Sequence, residues 1–269
     1  MTSTFLDLPQ EVRDLILEHA ISEDESFSEL HPMPCECIIK PLPNANNVRW
    51  DWNCHYAPQS VSVSYLNLML CNRQLNNEVR GFLEATQKHK GLQAKLTLMM
   101  GYPSVTPIWT RIPAPPCDIS DLDVLLKIGT MYHPGYIGVA PRSAIVAAVF
   151  EILKRYIHRG PHLARPSALA NQVKLDNVRI TLAPPHPFSE MTHIYGFPKQ
   201  QLETLFNEFK STMVRLGRSG IPYGSIGAFE VRMEGGDWTR IPVTSNIWDE
   251  EDFVYASPSV ILFITEYSC

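Results

Sequence analysis

The tripeptide Glu-Val-Arg occurs twice, at Glu11-Val12-Arg13 and at Glu78-Val79-Arg80, and both copies lie in segments that read as helix. Two helices that carry the same acid and base constrain one another. A guanidinium that is even half-buried needs a carboxylate partner, so crossing helices are expected to pair Glu11 with Arg80 and Glu78 with Arg13. The first helix has its own start signals: Asp7 can cap it, Pro9 suits the first turn, and Gln10 stands in capping-box position. Leu8, Val12, Leu15, Ile16 and Ala20 recur at spacings of three and four and make one apolar stripe, with Gln10, Arg13, Asp14 and Glu18 off it. The stripe reads either as a core-facing side or, in part, as a docking face.

The second copy belongs to a helix read as Leu66 to Phe82. Beyond it, period-two alternation marks strands at Ala94 to Met100 and at Asp121 to Ile128. Arg142 to Arg159 reads as a helix with Ile145, Val149, Ile152, Leu153 and Tyr156 on one side, closed by Gly160-Pro161. A strand from Val173 to Leu182, a helix from Gln200 to Leu216, and strands at Ala228 to Met233 and Val260 to Thr265 follow. This order predicts an α+β fold, a mixed β-sheet with flanking helices. Residues 1–90 form a helical region with inserted strands, and 91–269 a sheet domain packed with it as one unit.

Composition narrows the functional classes. The net charge of -5 gives no long-range attraction for phosphate backbones, so nucleic acid is not an expected partner. The longest wholly apolar run, Ala144 to Phe150, is too short to span a bilayer, and Met1 to Phe5 lacks a signal core. No membrane is expected, and the location expected is cytoplasmic or nuclear, with the six cysteines as reduced thiols. Cys35, Cys37, Cys54 and His55, with His31 nearby, match no usual zinc spacing, so no metal is expected. Phosphate-loop, dinucleotide, metalloprotease and nucleophile-elbow motifs are lacking, and no cofactor is expected. His133 and His193 read as loop histidines, the basic run Lys154 to Arg165 as a helix C-terminus, and Trp248 to Phe253 as a solvated acidic loop.

One internal repeat stands out: Trp109-Thr110-Arg111-Ile112-Pro113 recurs letter for letter as Trp238-Thr239-Arg240-Ile241-Pro242, in a chain with five Trp. It is expected at two equivalent turns between strands, with each Trp closing the end of the core and each Arg reaching outward. The functional reading makes Trp109, Arg111, Trp238 and Arg240 the walls of a ligand pocket for an anionic ligand or acidic peptide.

The stretch Phe5 to Ile16, with Leu8-Pro9-Gln10-Glu11-Val12-Arg13, resembles the Leu-Pro-x-Glu-hydrophobic-Arg opening of fungal F-box-like proteins. The Cys71-Asn72-Arg73-Gln74 to Arg80 core is similar to their following helix, and the pair resembles the signature of the two-EXR family over about residues 5–85. The strand at Ala94 to Met100, the Trp109 to Pro113 segment and the helix ending in Gly160-Pro161 also resemble these proteins. About forty-five residues separate the signature helices here, and Cys37 to Ile39 with Val61 to Val63 suggest an inserted hairpin. The resemblance implies a non-catalytic protein-interaction module, a ubiquitin-ligase substrate receptor whose partner is a Skp-type SCF adaptor docked on Leu8, Pro9, Leu15 and Ile16. The alternative is a small-molecule enzyme or ligand-binding protein that reuses the fold.

Overall fold

The computed structural model describes residues 5–22, 36–38, 53–55, 64–101, 104–128, 131–133, 136–138, 142–161, 172–183, 199–220, 222 and 224–245. A one-turn 3-10 helix at Phe5–Asp7 leads into α1 (Gln10–Ser22). Then come β1 (Glu36–Ile38), β2 (Asn53–His55), α2 (Ser64–Cys71), α3 (Arg73–Lys90), β3 (Gln93–Gly101) and β4 (Ser104–Arg111). After a 3-10 turn at Pro116–Asp118 follow β5 (Asp121–Ile128), β6 (Met131–His133), β7 (Tyr136–Gly138) and α4 (Arg142–Arg159). The described chain closes with β8 (Leu175–Ala183), α5 (Lys199–Arg218), β9 (Ile226–Met233) and β10 (Thr239–Pro242).

The fold is α+β. Among the described residues its main sheet has eight strands in the order β1-β2-β4-β3-β5-β8-β9-β10, while β6 and β7 pair separately. At its centre β3, β5, β8 and β9 run parallel, because the antiparallel β4 returns the chain between β3 and β5, and α4 and α5 return it between β5, β8 and β9. The antiparallel strands β4 and β10 flank this centre. α4 and α5 touch each other, which places both crossover helices on one face. On that face Leu96, Leu98, Val124, Leu126, Ile180, Leu182, Phe229 and Val231 join one continuous buried cluster with Leu17, Ile21, Tyr65, Leu75, Val79 and Leu83 from α1 to α3.

Several expectations change in the structure. The segment from Leu66 to Phe82 is two helices. Asn72 breaks it in extended backbone, and its side chain accepts a 2.8 Å hydrogen bond from the Leu75 N–H to cap α3. α1 starts at Gln10, where the Pro9 carbonyl accepts from the Val12 and Arg13 N–H groups, and Asp7 belongs to the preceding 3-10 turn. The pair β1–β2 shows that the inserted segment does contain antiparallel strands, but β2 is Asn53–His55 and it extends the main sheet beside β4. Val61 to Val63, the acidic loop Trp248 to Phe253, the strand expected at Val260 to Thr265, and His31, Cys35 and His193 lie outside the described residues.

Candidate functional site

The inward line of α1 is Arg13, Leu17 and Ile21, not the apolar stripe. Leu17 and Ile21 are buried, while Arg13 meets Glu78 of α3 at 3.0 Å with both side chains mostly out of water. The contact is an ion pair without good hydrogen-bond alignment, since Arg13 Nε and Glu78 Oε2 form no hydrogen bond. Arg13 Nη1 instead donates to the carbonyls of Leu8 at 2.7 Å and Leu6 at 3.2 Å, and Nη2 to the Gln10 side chain. One of the two expected cross-pairs is therefore present. The other is not: Glu11 and Arg80 are both exposed, and the Arg80 Nε donates to Asn76.

With Arg13 turned inward, the apolar stripe faces solvent. Val12, Leu15 and Ile16 are 40%, 65% and 41% exposed. Pro9 is exposed and Leu8 half-buried. On α2, which packs against α1, Leu66 and Leu70 are exposed too. Nothing in the sequence pattern marked Leu66 and Leu70 as surface residues, because α2 is apolar on most sides.

The two Trp-Thr-Arg-Ile-Pro segments do not line a common pocket. One ends β4 and the other forms β10, with β3, β5, β8 and β9 between them. Nor are they turns, since Trp109 to Arg111 and Thr239 to Pro242 lie in ladders. Their tryptophans face opposite sides of the sheet. In β4 the register shifts between Lys95 and Leu96, so that Arg111 pairs with Lys95, Trp109 with Leu96, and Thr110 is the extra residue of a bulge. The bulge turns Trp109 into the core, where its Nε1 donates to the Pro161 carbonyl at 3.0 Å and its ring lies 5.1 Å from that of Tyr156. The Tyr156 hydroxyl has no hydrogen-bond partner among the described residues, and burial pushes its pKa up. In β10 the ladder is regular, so Trp238 shares the outer face with Arg240 and lies 4.1 Å beneath the Arg232 guanidinium.

The repeat's arginines, by contrast, share one line. Cross-strand neighbours run Arg111–Lys95–Asp123–Arg179–Glu230–Arg240 across six strands, all on the face away from α4 and α5. Adjacent side chains in this row are mostly of opposite charge and paired. Arg240 Nη1 contacts Glu230 Oε1 at 2.9 Å, and Glu230 Oε2 contacts Arg179 Nε at 2.9 Å. Arg179 also approaches Asp123 at 3.9 Å and Asp121 at 3.7 Å. Gln93 donates to Asp123, and Asn177 donates to Asp121 at 2.8 Å. Burial raises the Asp123 carboxyl above its ordinary range, against the Gln93 hydrogen bond and the fields of Arg179 and Lys95. Burial acts against the charge on Arg179, but the Glu230 hydrogen bond and the fields of Asp121, Asp123 and Glu230 together raise its pKa.

Chemically, the row is a set of ion pairs in which Asp123 Oδ1 and Arg111 Nε have no hydrogen-bond partner among the described residues, with an aromatic and two arginines at its β10 end. Among the described residues no group of three His, Cys, Asp or Glu is placed to hold a metal, and no helix is long and apolar enough to cross a membrane. Of the basic run at the end of α4, Arg155 is paired with Glu151 and His158 contacts Gln172. Among the described residues the molecule is thus an α+β protein with one face covered by α4 and α5, one charged face that carries no helix, and an apolar surface on its first helices. No family model, curated protein or solved structure matches the chain.

Proposed function

We propose that the chain is a non-catalytic protein-interaction module of the F-box-like type, working in the cytoplasm or nucleus, that docks a Skp-type adaptor and serves as a ubiquitin-ligase substrate receptor. One observation carries the reading: Leu15 and Ile16 of α1, with Leu70 of α2, are held in water at 65%, 41% and 82% exposure. Large apolar side chains gathered on two packed helices favour a partner surface, because each one removed from water contributes roughly 1.5–3 kcal/mol when fully buried. The Leu-Pro-x-Glu frame at Leu8 to Glu11 supplies the kind of partner. Arg13, tied to Glu78 and to the carbonyls of Leu6 and Leu8, holds α1 in the rotation that presents this face.

Co-expression of the chain with the host's Skp-type adaptor, followed by size-exclusion chromatography, tests it. The pair is expected to co-elute, and Leu15→Asp or Ile16→Asp to abolish co-elution without lowering the melting temperature. Separate elution of the wild-type pair, or a complex indifferent to both substitutions, overturns it.

A further inference from the structure

We infer that the open face of the sheet is a docking surface for an extended acidic peptide laid across the strands from Arg111 to Arg240. The outward positions of β3, β4, β5, β8, β9 and β10 carry six cations, Lys95, Arg111, Lys127, Arg179, Arg232 and Arg240, against three carboxylates, Asp121, Asp123 and Glu230. This cationic excess stands on a chain whose net charge is -5. It is also placed unevenly. The carboxylates, on β5 and β9, neutralise Arg179, whereas Arg111 stands at the β4 end of the row, Arg232 and Arg240 at the β10 end, and Lys127 on β5. At the β4 end, Arg111 Nε is out of water with no hydrogen-bond acceptor among the described residues. At the β10 end, Arg240 is 64% exposed despite its contact with Glu230, and the 40%-exposed Trp238 lies under Arg232.

The geometry sets the size of the partner. Five interstrand steps separate Arg111 from Arg240, roughly 24 Å at the usual spacing, which is the reach of about seven extended residues. An acidic segment of that length can place carboxylates at both ends and an apolar side chain over Leu125 or Trp238 in the next row. A nucleic-acid strand fits less well, because its evenly spaced phosphates would cross Asp123 and Glu230 in mid-row. Strand addition to β10 is also disfavoured. Its neighbour Val243 bonds inward to Gly227, so the alternate residue Pro242 stands outward with no N–H to donate.

The inference rests on the proposed receptor role for its purpose, while the binding itself is measured on the full chain without adaptor. The probe is a fluorescein-labelled heptapeptide, Glu-Glu-Ala-Phe-Ala-Glu-Glu, followed by fluorescence anisotropy beside its all-Gln counterpart and a short oligothymidylate. The acidic peptide is expected to bind, with affinity falling as salt rises, and the Gln form not to bind. Arg240→Glu, at an exposed position, is expected to weaken binding about tenfold with only a small fall in melting temperature from repulsion by Glu230, and Arg111→Ala to weaken binding as well. Absent binding, equal binding of the Gln form, tighter binding of the oligothymidylate, or unchanged affinity in Arg240→Glu overturns the inference. Peptide binding without adaptor binding overturns the adaptor reading alone, and the reverse result overturns this one alone.

Discussion

An extra residue in one strand reverses the side on which the next side chain stands, and Trp109 and Trp238 show the energetic consequence. Trp109 is enclosed by the core and hydrogen-bonded to Pro161, whereas Trp238 keeps 40% of its surface in water beneath Arg232. Trp109→Ala is expected to cost about 3–5 kcal/mol in urea denaturation. Trp238→Ala is expected to cost only about 1 kcal/mol, the scale of a partly exposed cation–π contact; equal losses would contradict the assigned faces. Asp123 gives a pH signature. Its carboxyl is raised above the ordinary 3.8 first by burial, so the folded state holds the proton more tightly than the unfolded chain. Ionising it therefore costs stability as pH rises from below 3.8 through the raised folded value. The unfolding free energy of wild type minus that of Asp123→Asn is expected to fall across this window and level off above it. A difference that grows with pH would show that the ion pair with Arg179 outweighs burial.

Among the elements, α1 depends on a charged residue for its orientation. Arg13→Ala leaves the mostly buried Glu78 uncompensated and frees the carbonyls of Leu6 and Leu8, an expected loss of about 3 kcal/mol by chemical denaturation. A loss within about 0.5 kcal/mol, the range of surface substitutions, would mean that the pair does not set the packing. This is also where the sequence left two readings open. Apolar spacing groups Val12, Leu15 and Ile16 on one face of α1 without saying whether that face is core or docking surface, because a periodicity argument cannot know that Arg13 is neutralised by a residue sixty-five positions away. α4, β5, β8 and β9 were legible within a few residues, since their apolar periods are uninterrupted. The break between α2 and α3 was written in Asn72, a good cap, but hidden by apolar residues on both sides. β10 reads as a turn because Trp and Pro bracket it, and the charged row needed strand order and register, which no single strand encodes.

At the scale of the whole molecule, the sheet separates three surfaces. One face is sealed by α4 and α5, the other carries the Arg111-to-Arg240 row, and α1 with α2 presents uncovered apolar side chains. The proposed receptor role needs two sites that can be occupied together, and an apolar helical surface and a charged sheet face lie on different elements. The expected result of weakening one is that the other persists. The most direct test of the docking role is calorimetric titration of purified Skp-type adaptor into the full chain at several temperatures. The account predicts binding with a negative heat-capacity change, the mark of buried apolar surface, and loss of that heat in Leu15→Asp at an unchanged melting temperature. No heat of binding, or a heat-capacity change that Leu15→Asp leaves intact, would contradict it.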